Sequence, residues 1–145
     1  MVNKYINSED PFENFFAVML VTGLRLRETL EYTQISKSQE PGYIVLNRLL
    51  KKRDCDDLQE FSRPCLYQPD IVILKLQRAR QKLADICQQN KIKMFDDNTE
   101  KISKTIRNFF SRIIQQNSYV VSEIHDCRKI YANIAHHYFA SNQNL

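Results

Sequence analysis

Apolar positions recur at helical spacing over much of the chain, and polar capping residues mark where each run begins. Asp10-Pro11-Phe12-Glu13 opens the first run, with aspartate as N-cap, proline at the first helical position and glutamate at the capping-box position. Phe12, Phe15, Phe16, Met19 and Leu20 then repeat every three or four residues and predict a buried helix face. The helix should break at "TGLR", where Gly23 permits a turn that a bulkier residue resists. "LRETLEY" predicts a second helix over roughly 26–34, and residues 1–9 read as a polar lead-in.

Periodicity changes after that point. "QISKSQEPG" reads as a loop, and "YIVLNRLL" (43–50), bounded by Pro41-Gly42, as a strand. The polar stretch "KKRDCDDLQEFSRP" turns the chain, and "CLYQ" is the segment expected to pair back. Asp70 should cap a long helix over 71–89, buried through Ile71, Leu74, Leu76, Ala79, Leu83 and Ile86. Asn98 or Thr99 should cap another, with Ile102, Ile106, Phe109, Phe110, Ile113 and Ile114 as its apolar face. Ser122 should cap the last, whose face is Ile124, Cys127, Tyr131, Ile134 and Tyr138. The fold class this predicts is α+β, mainly α, with helices around a small antiparallel sheet in the order α-α-β-β-α-α-α. The domain plan is a lead-in over 1–9 and one domain over 10–145.

Composition narrows the class further. The 145 residues suffice for one domain with a real core. Two glycines and four prolines leave little material for a turn-rich β-sandwich. Lys and Arg exceed Asp and Glu by 21 to 17, a net +4 compatible with a polyanionic partner without demanding one. The basic residues gather in "KKRD" (51–54), "KLQRARQK" (75–82), "KIK" (91–93) and "EKISKTIR" (100–107), patterns that also suit solvated helix faces. Cys55, Cys65, Cys87 and Cys127 lack metal-site spacing and follow no secretory segment, so free thiols in a reducing compartment are expected, with no metal. "FFAVMLVTGL" is too short to span a bilayer before arginine interrupts it.

Two short stretches carry candidate chemistry. In "SEIHDCRKIYANIAHHYF", His125 and Arg128 share one helix flank beside the apolar stripe, near the small Ala132 and Ala135. Taken alone, the pair is more simply read as a salt bridge with Glu123 or Asp126. In "VTGLRLRETL", Arg25 follows a glycine turn at a helix start, where unpaired N–H groups and the helix dipole favour anions. Arg25, Arg128 and His125 could therefore converge on a phosphate, two guanidinium forks gripping its oxygens. Glu28 suits the role of buttress for the turn.

With these residues named, "TGLRLRETL" resembles the first-arginine box of the tyrosine recombinases and integrases, T/A-G-L-R-x-x-E. "HDCRKIYAN" resembles their H-x-x-R box, with the usual "HDLR" altered at one position. "IVLNRLLKKR" falls in the region of their β-hairpin lysine, and "RPCLY" before a long helix also fits. "HDCRKIYANIAHHYF" most resembles the telomere resolvases (protelomerases), and the likeness runs from Asp10 onward. The fold it implies is a partial tyrosine-recombinase catalytic domain. The activity it implies is DNA recombination or integration chemistry on double-stranded DNA, or the formation of hairpin telomeres, through a 3′-phosphotyrosyl intermediate with no metal or nucleotide cofactor. Arg25 and Arg128 would stabilise the phosphorane, Lys51 (or its neighbour Lys52) would protonate the leaving 5′-oxygen, and His125 would hydrogen-bond the phosphate or assist proton transfer.

The resemblance also sets a departure. The family's nucleophilic tyrosine lies a few dozen residues beyond the second arginine, and here residues 129–145 follow Arg128, with Tyr131 and Tyr138 on the face expected to be buried. The chain is thus expected to be a fragment that binds the scissile phosphate with its nucleophile missing, and to be inactive alone. The alternatives are a catalytically inactive recombinase-like module that binds DNA or regulates a partner, and a helical interaction domain with coincidental motifs. Family members act as homo-oligomers on DNA. The expected setting is intracellular, cytoplasmic or nucleoid-associated, with no membrane.

Overall fold

The computed structural model describes residues 1–49, 60–96 and 101–140. Its centre is a helix apolar on every side. After α1 (Val2–Ile6), α2 (Pro11–Thr22) carries "PFENFFAVMLVT", and every residue of it except Glu13 is buried. A helix that is apolar all round has no solvent face and must be enclosed. Here α1 and two later helices pack around it. The N-terminus of α2 forms as the sequence reads: Asp10 accepts from the Phe12 amide at 2.9 Å and Pro11 occupies the first turn. Glu13 acts through a relay, since the Asp10 amide donates to Ser8 Oγ (3.0 Å) and that hydroxyl faces the Glu13 carboxylate. Residues 1–9, read as a polar lead-in, instead place Tyr5 and Ile6 in the core. Buried Asn14 fastens them, donating to the carbonyls of Tyr5 (2.8 Å) and Ser8 (3.0 Å).

Gly23 ends α2 at φ 73, where only glycine avoids the left-handed penalty. The second predicted helix is a short turn from Leu26 whose residues Glu28–Tyr32 are π-helical. The expected loop at 34–42 is not all loop: Gln34–Lys37 is strand β1. Its single inward residue, Ile35, gives too little alternation to be read as a strand, and pairing with β2 (Tyr43–Asn47) decides it. The third strand, β3, is Glu60–Pro64, one segment earlier than the expected "CLYQ", in an antiparallel order β1-β2-β3. Ile44 and Leu46 are buried while their β2 neighbours are half-buried, as a sheet with one covered face requires.

The long helix α3 runs Pro69–Asn90, with Gln68 at the cap position and Asp70 in its first turn, where Lys37 meets it at 3.2 Å. Val72, Leu76, Ala79 and Leu83 are its buried stripe, whereas Leu74, expected inside, is exposed. "IVIL" fills every side of one helical turn, so its periodicity cannot say which side meets α2. Asn98 and Thr99 lie outside the described residues. The cap seen is Ser103, whose Oγ accepts from the Ile106 amide at the start of α4 (Lys104–Asn108), and α5 (Ser111–Gln116) follows. Of the expected apolar face, Ile102, Ile106, Phe110 and Ile113 are buried; Phe109 is partly exposed but stacks on Phe12 at 4.5 Å.

The last helix, α6 (Asp126–Ala135), begins later than predicted, with His125 rather than Ser122 at its cap. Asp126 organises that start, accepting from the Ser122 amide (2.8 Å), its hydroxyl (2.9 Å) and the Glu123 amide (3.1 Å). These bonds hold its carboxyl down at about 2. Cys127 and Tyr131 are buried, but Ile134 and Tyr138, expected on the same face, are exposed. The chain enters a π-helical turn at His136–Ala140, and beyond Tyr131 the expected face points away from the core.

Candidate functional site

The site is built on the C-terminal end of α2, where a helix leaves carbonyls without intrahelical partners and carries the negative end of its dipole. Two arginines from distant segments use those carbonyls. Arg63 Nη1, from β3, donates to Thr22 O at 3.0 Å, and Arg128 Nε, from α6, donates to Gly23 O at 3.0 Å. The two acceptors belong to consecutive residues, so both guanidinium groups are anchored at the same end of α2.

Tyr131 sets the approach of α6. Its ring lies so close to Gly23 that a Cβ there would fall against Cδ1, at 2.8 Å from Cε1 and 2.9 Å from Cγ. Its hydroxyl donates to Pro64 O at 2.7 Å, tying α6 to the end of β3. Burial, offset in part by the Arg63 charge, pushes its phenol up to about 12. Tyr131 is therefore a packing residue with a satisfied hydroxyl.

Arg25 follows the same turn. Its amide donates to Glu28 Oε1 at 2.7 Å, and its Nη1 stands 3.8 Å from Glu28 Oε2. Glu28 is buried and buttresses the turn as the sequence suggested. It also occupies the amide that was expected to help hold an anion, which leaves only side chains for that role. Arg80 of α3 secures the turn from behind, donating from Nε to Thr29 O (2.9 Å) and from Nη2 to the carbonyls of Glu28 and Thr33 (2.8 Å each). A guanidinium fork can serve several convergent acceptors that an ammonium cannot match in plane.

Gly23, Arg63, His125, Arg128, Lys129, Tyr131 and Ala132 line an open cleft of about 410 Å³. Burial, together with the charges of Arg25 and Arg63, pulls the Arg128 guanidinium below its ordinary value, against the opposing pull of Glu28. Arg128 and His125 thus share this cleft with the Gly23 turn, while Arg25, two residues further along the turn, is not among its lining residues but is near enough for its charge to act on Arg128. His125 is exposed and also borders a second cleft of about 450 Å³, floored by Leu26, Phe110, Ile114 and Ile124. Lys129 pairs with Asp126 at 3.4 Å, so the salt bridge considered for the histidine–arginine pair forms next to it instead. Lys51 and Lys52 lie outside the described residues. Tyr138 is exposed and is not among the residues lining the cleft.

Sequence reading missed Arg63 and Arg80. Arg63 sat in a polar stretch read as a turn, and its only signal is its position two residues from Phe61 and just before Pro64. Paired opposite buried Ile44, it occupies the covered side of the sheet. Arg80 lay in a basic helical run that suited a solvated face.

The fold has counterparts among known proteins. Residues 1–144 match the family described as the telomere resolvase ResT/TelK catalytic domain. Protelomerase TelK complexed with substrate DNA is similar in structure, with a TM-score of 0.72 and 17% identity over 97% of this chain and 29% of that one. Protelomerase TelA covalently complexed with substrate DNA gives 0.68 and 16% identity over 95% of this chain and 46% of that one. A TelA mutant complexed with a DNA hairpin product gives 0.69 at 16% identity, with the same coverage. This chain thus spans less than half the length of these structures. No curated protein matches it by sequence. The chain belongs to the telomere resolvase ResT/TelK catalytic-domain family.

Proposed function

We propose that this chain supplies the phosphate-holding part of a DNA breaking-and-rejoining domain of the telomere-resolvase type. The observation that carries the reading is the cleft at the Gly23 turn that Arg128 and His125 line, with Arg25 two residues along the same turn and close enough for its charge to act on Arg128. Arg25 and Arg128 grip the non-bridging oxygens of a phosphodiester and stabilise the charge that grows on them as a fifth oxygen joins the phosphorus. His125 hydrogen-bonds the same group. Lys51, or Lys52 beside it, protonates the 5′-oxygen as its bond to phosphorus breaks. Double-stranded DNA as the substrate is supported by the relatives solved with substrate DNA and with a hairpin product.

The attacking tyrosine comes from outside the described residues, either from elsewhere in a longer polypeptide or from another subunit. Tyr131 has its hydroxyl on Pro64, and Tyr138 does not line the cleft. This observation also favours a second reading, a module that binds DNA without cutting it. Fluorescence anisotropy with duplex DNA over a range of salt, run beside a cleavage assay on nicked duplex, tests both. The wild-type chain should bind without cleaving, and its affinity should fall steeply with salt. Arg25→Ala and Arg128→Ala should each lower the logarithmic salt slope by about 1. Wild-type affinity in both variants would overturn the phosphate reading, and cleavage by the chain alone would overturn the assignment of the nucleophile.

A further inference from the structure

We propose that Arg63 is a third guanidinium of this anion site and binds the same phosphate group as Arg25 and Arg128. The inference rests on the phosphate reading above and extends it to a residue that neither arginine box contains.

Three observations lead to it. First, Arg63 stands on the covered side of the sheet, opposite buried Ile44, where a charged side chain must be given partners. It receives one: its Nη1 serves Thr22 O at 3.0 Å. Second, its side chain lines the cleft with Arg128 and His125, and Arg128 is bonded to the very next carbonyl. Third, the cluster is electrically unbalanced. The charges of Arg25 and Arg63 both act against that of Arg128, and buried Glu28 opposes them. Like charges held close in a half-buried place repel, and an anion with several acceptor oxygens relieves that repulsion. A phosphodiester supplies two non-bridging oxygens with room for more than two donors. In this arrangement the end of β3 contributes to the site alongside the Gly23 turn and α6.

The rival account is that Arg63 only caps α2 through Thr22. Titrating the full chain with inorganic phosphate separates the two, because an arginine that only caps α2 makes no bond to the ion. Arginine Nε–H signals followed by ¹⁵N NMR give the affinity. Arg63→Met should weaken phosphate binding about tenfold, as loss of a charge-assisted bond predicts, and Arg128→Met by a similar factor. Arg112→Met removes an exposed arginine that pairs with Asp10 at the opposite end of α2 (3.0 Å) and should leave the affinity unchanged. Arg63→Lys keeps a donor for Thr22 but loses the fork, so it should bind phosphate more weakly than wild type while folding normally. Should Arg63→Met fail to fold, the Lys variant decides the matter. Wild-type phosphate affinity in Arg63→Met or Arg63→Lys, with Arg128→Met impaired, would overturn the proposal and leave the rest of the site standing. Absence of saturable phosphate binding by the wild type would overturn the whole anion site, this proposal included.

Discussion

Gly23→Ala perturbs both the backbone and the packing of the site, and the two costs are separable. At φ 73 a Cβ carries a left-handed penalty of about 1–2 kcal/mol. The same Cβ would press into the Tyr131 ring, with Cε1 at 2.8 Å and Cγ at 2.9 Å. The ring cannot simply swing away, because its hydroxyl is bonded to Pro64 O. Over-packing of this kind costs about 1–3 kcal/mol. The single variant should therefore lose about 2–5 kcal/mol, a large share of an ordinary domain's stability. Urea unfolding followed by circular dichroism measures it. Repeating Gly23→Ala in a Tyr131→Ala background should remove the steric part and leave only about 1–2 kcal/mol. An equal cost in both backgrounds would show that the ring is not what excludes a side chain at position 23. A cost below about 1 kcal/mol in the wild-type background would refute the reasoning as a whole.

Three other consequences are open to measurement. Arg80→Met leaves the carbonyls of Thr29 and Thr33 without their guanidinium donor, and that of Glu28 with only the Thr33 amide (3.1 Å), and should cost about 3 kcal/mol, with hydrogen exchange accelerated most over residues 25–33. Asp126 has a folded pKa of about 2, below the ordinary 3.8, so its stabilising effect is present above that ordinary value and fades as pH falls toward 2. Asp126→Asn should thus flatten the acid limb of a stability-versus-pH curve, and an unchanged limb would count against the three hydrogen bonds at the start of α6. Burial holds the Cys65 thiol up at about 11 and the Cys127 thiol at about 12, so both should resist iodoacetamide at about pH 8 in the native protein and react once it unfolds. Peptide mapping by mass spectrometry would check this.

Local chemistry determined the elements whose causes are local. Asp10, Pro11 and Gly23 fix both ends of α2, and "YIVLN" after Pro41-Gly42 could hardly be anything but a strand. The arginine and histidine boxes were legible for the same reason, since each is a short run of residues with its own signal. What the tertiary structure decided was everything that depends on a partner far along the chain. β1 is a strand because Leu46 lies opposite Ile35. Leu74 faces solvent because α2 meets the other side of α3, and Tyr138 does so because the packed face of α6 ends at Tyr131. Arg63 and Arg80 gained their partners the same way, from carbonyls some forty to fifty residues distant. A capping or turn signal is written within a few residues because the bonds it makes are that short in sequence. An arginine cluster assembled on the end of a central helix has no such local trace: Arg63 and Arg128 reach the adjacent carbonyls of Thr22 and Gly23 only when the chain has folded.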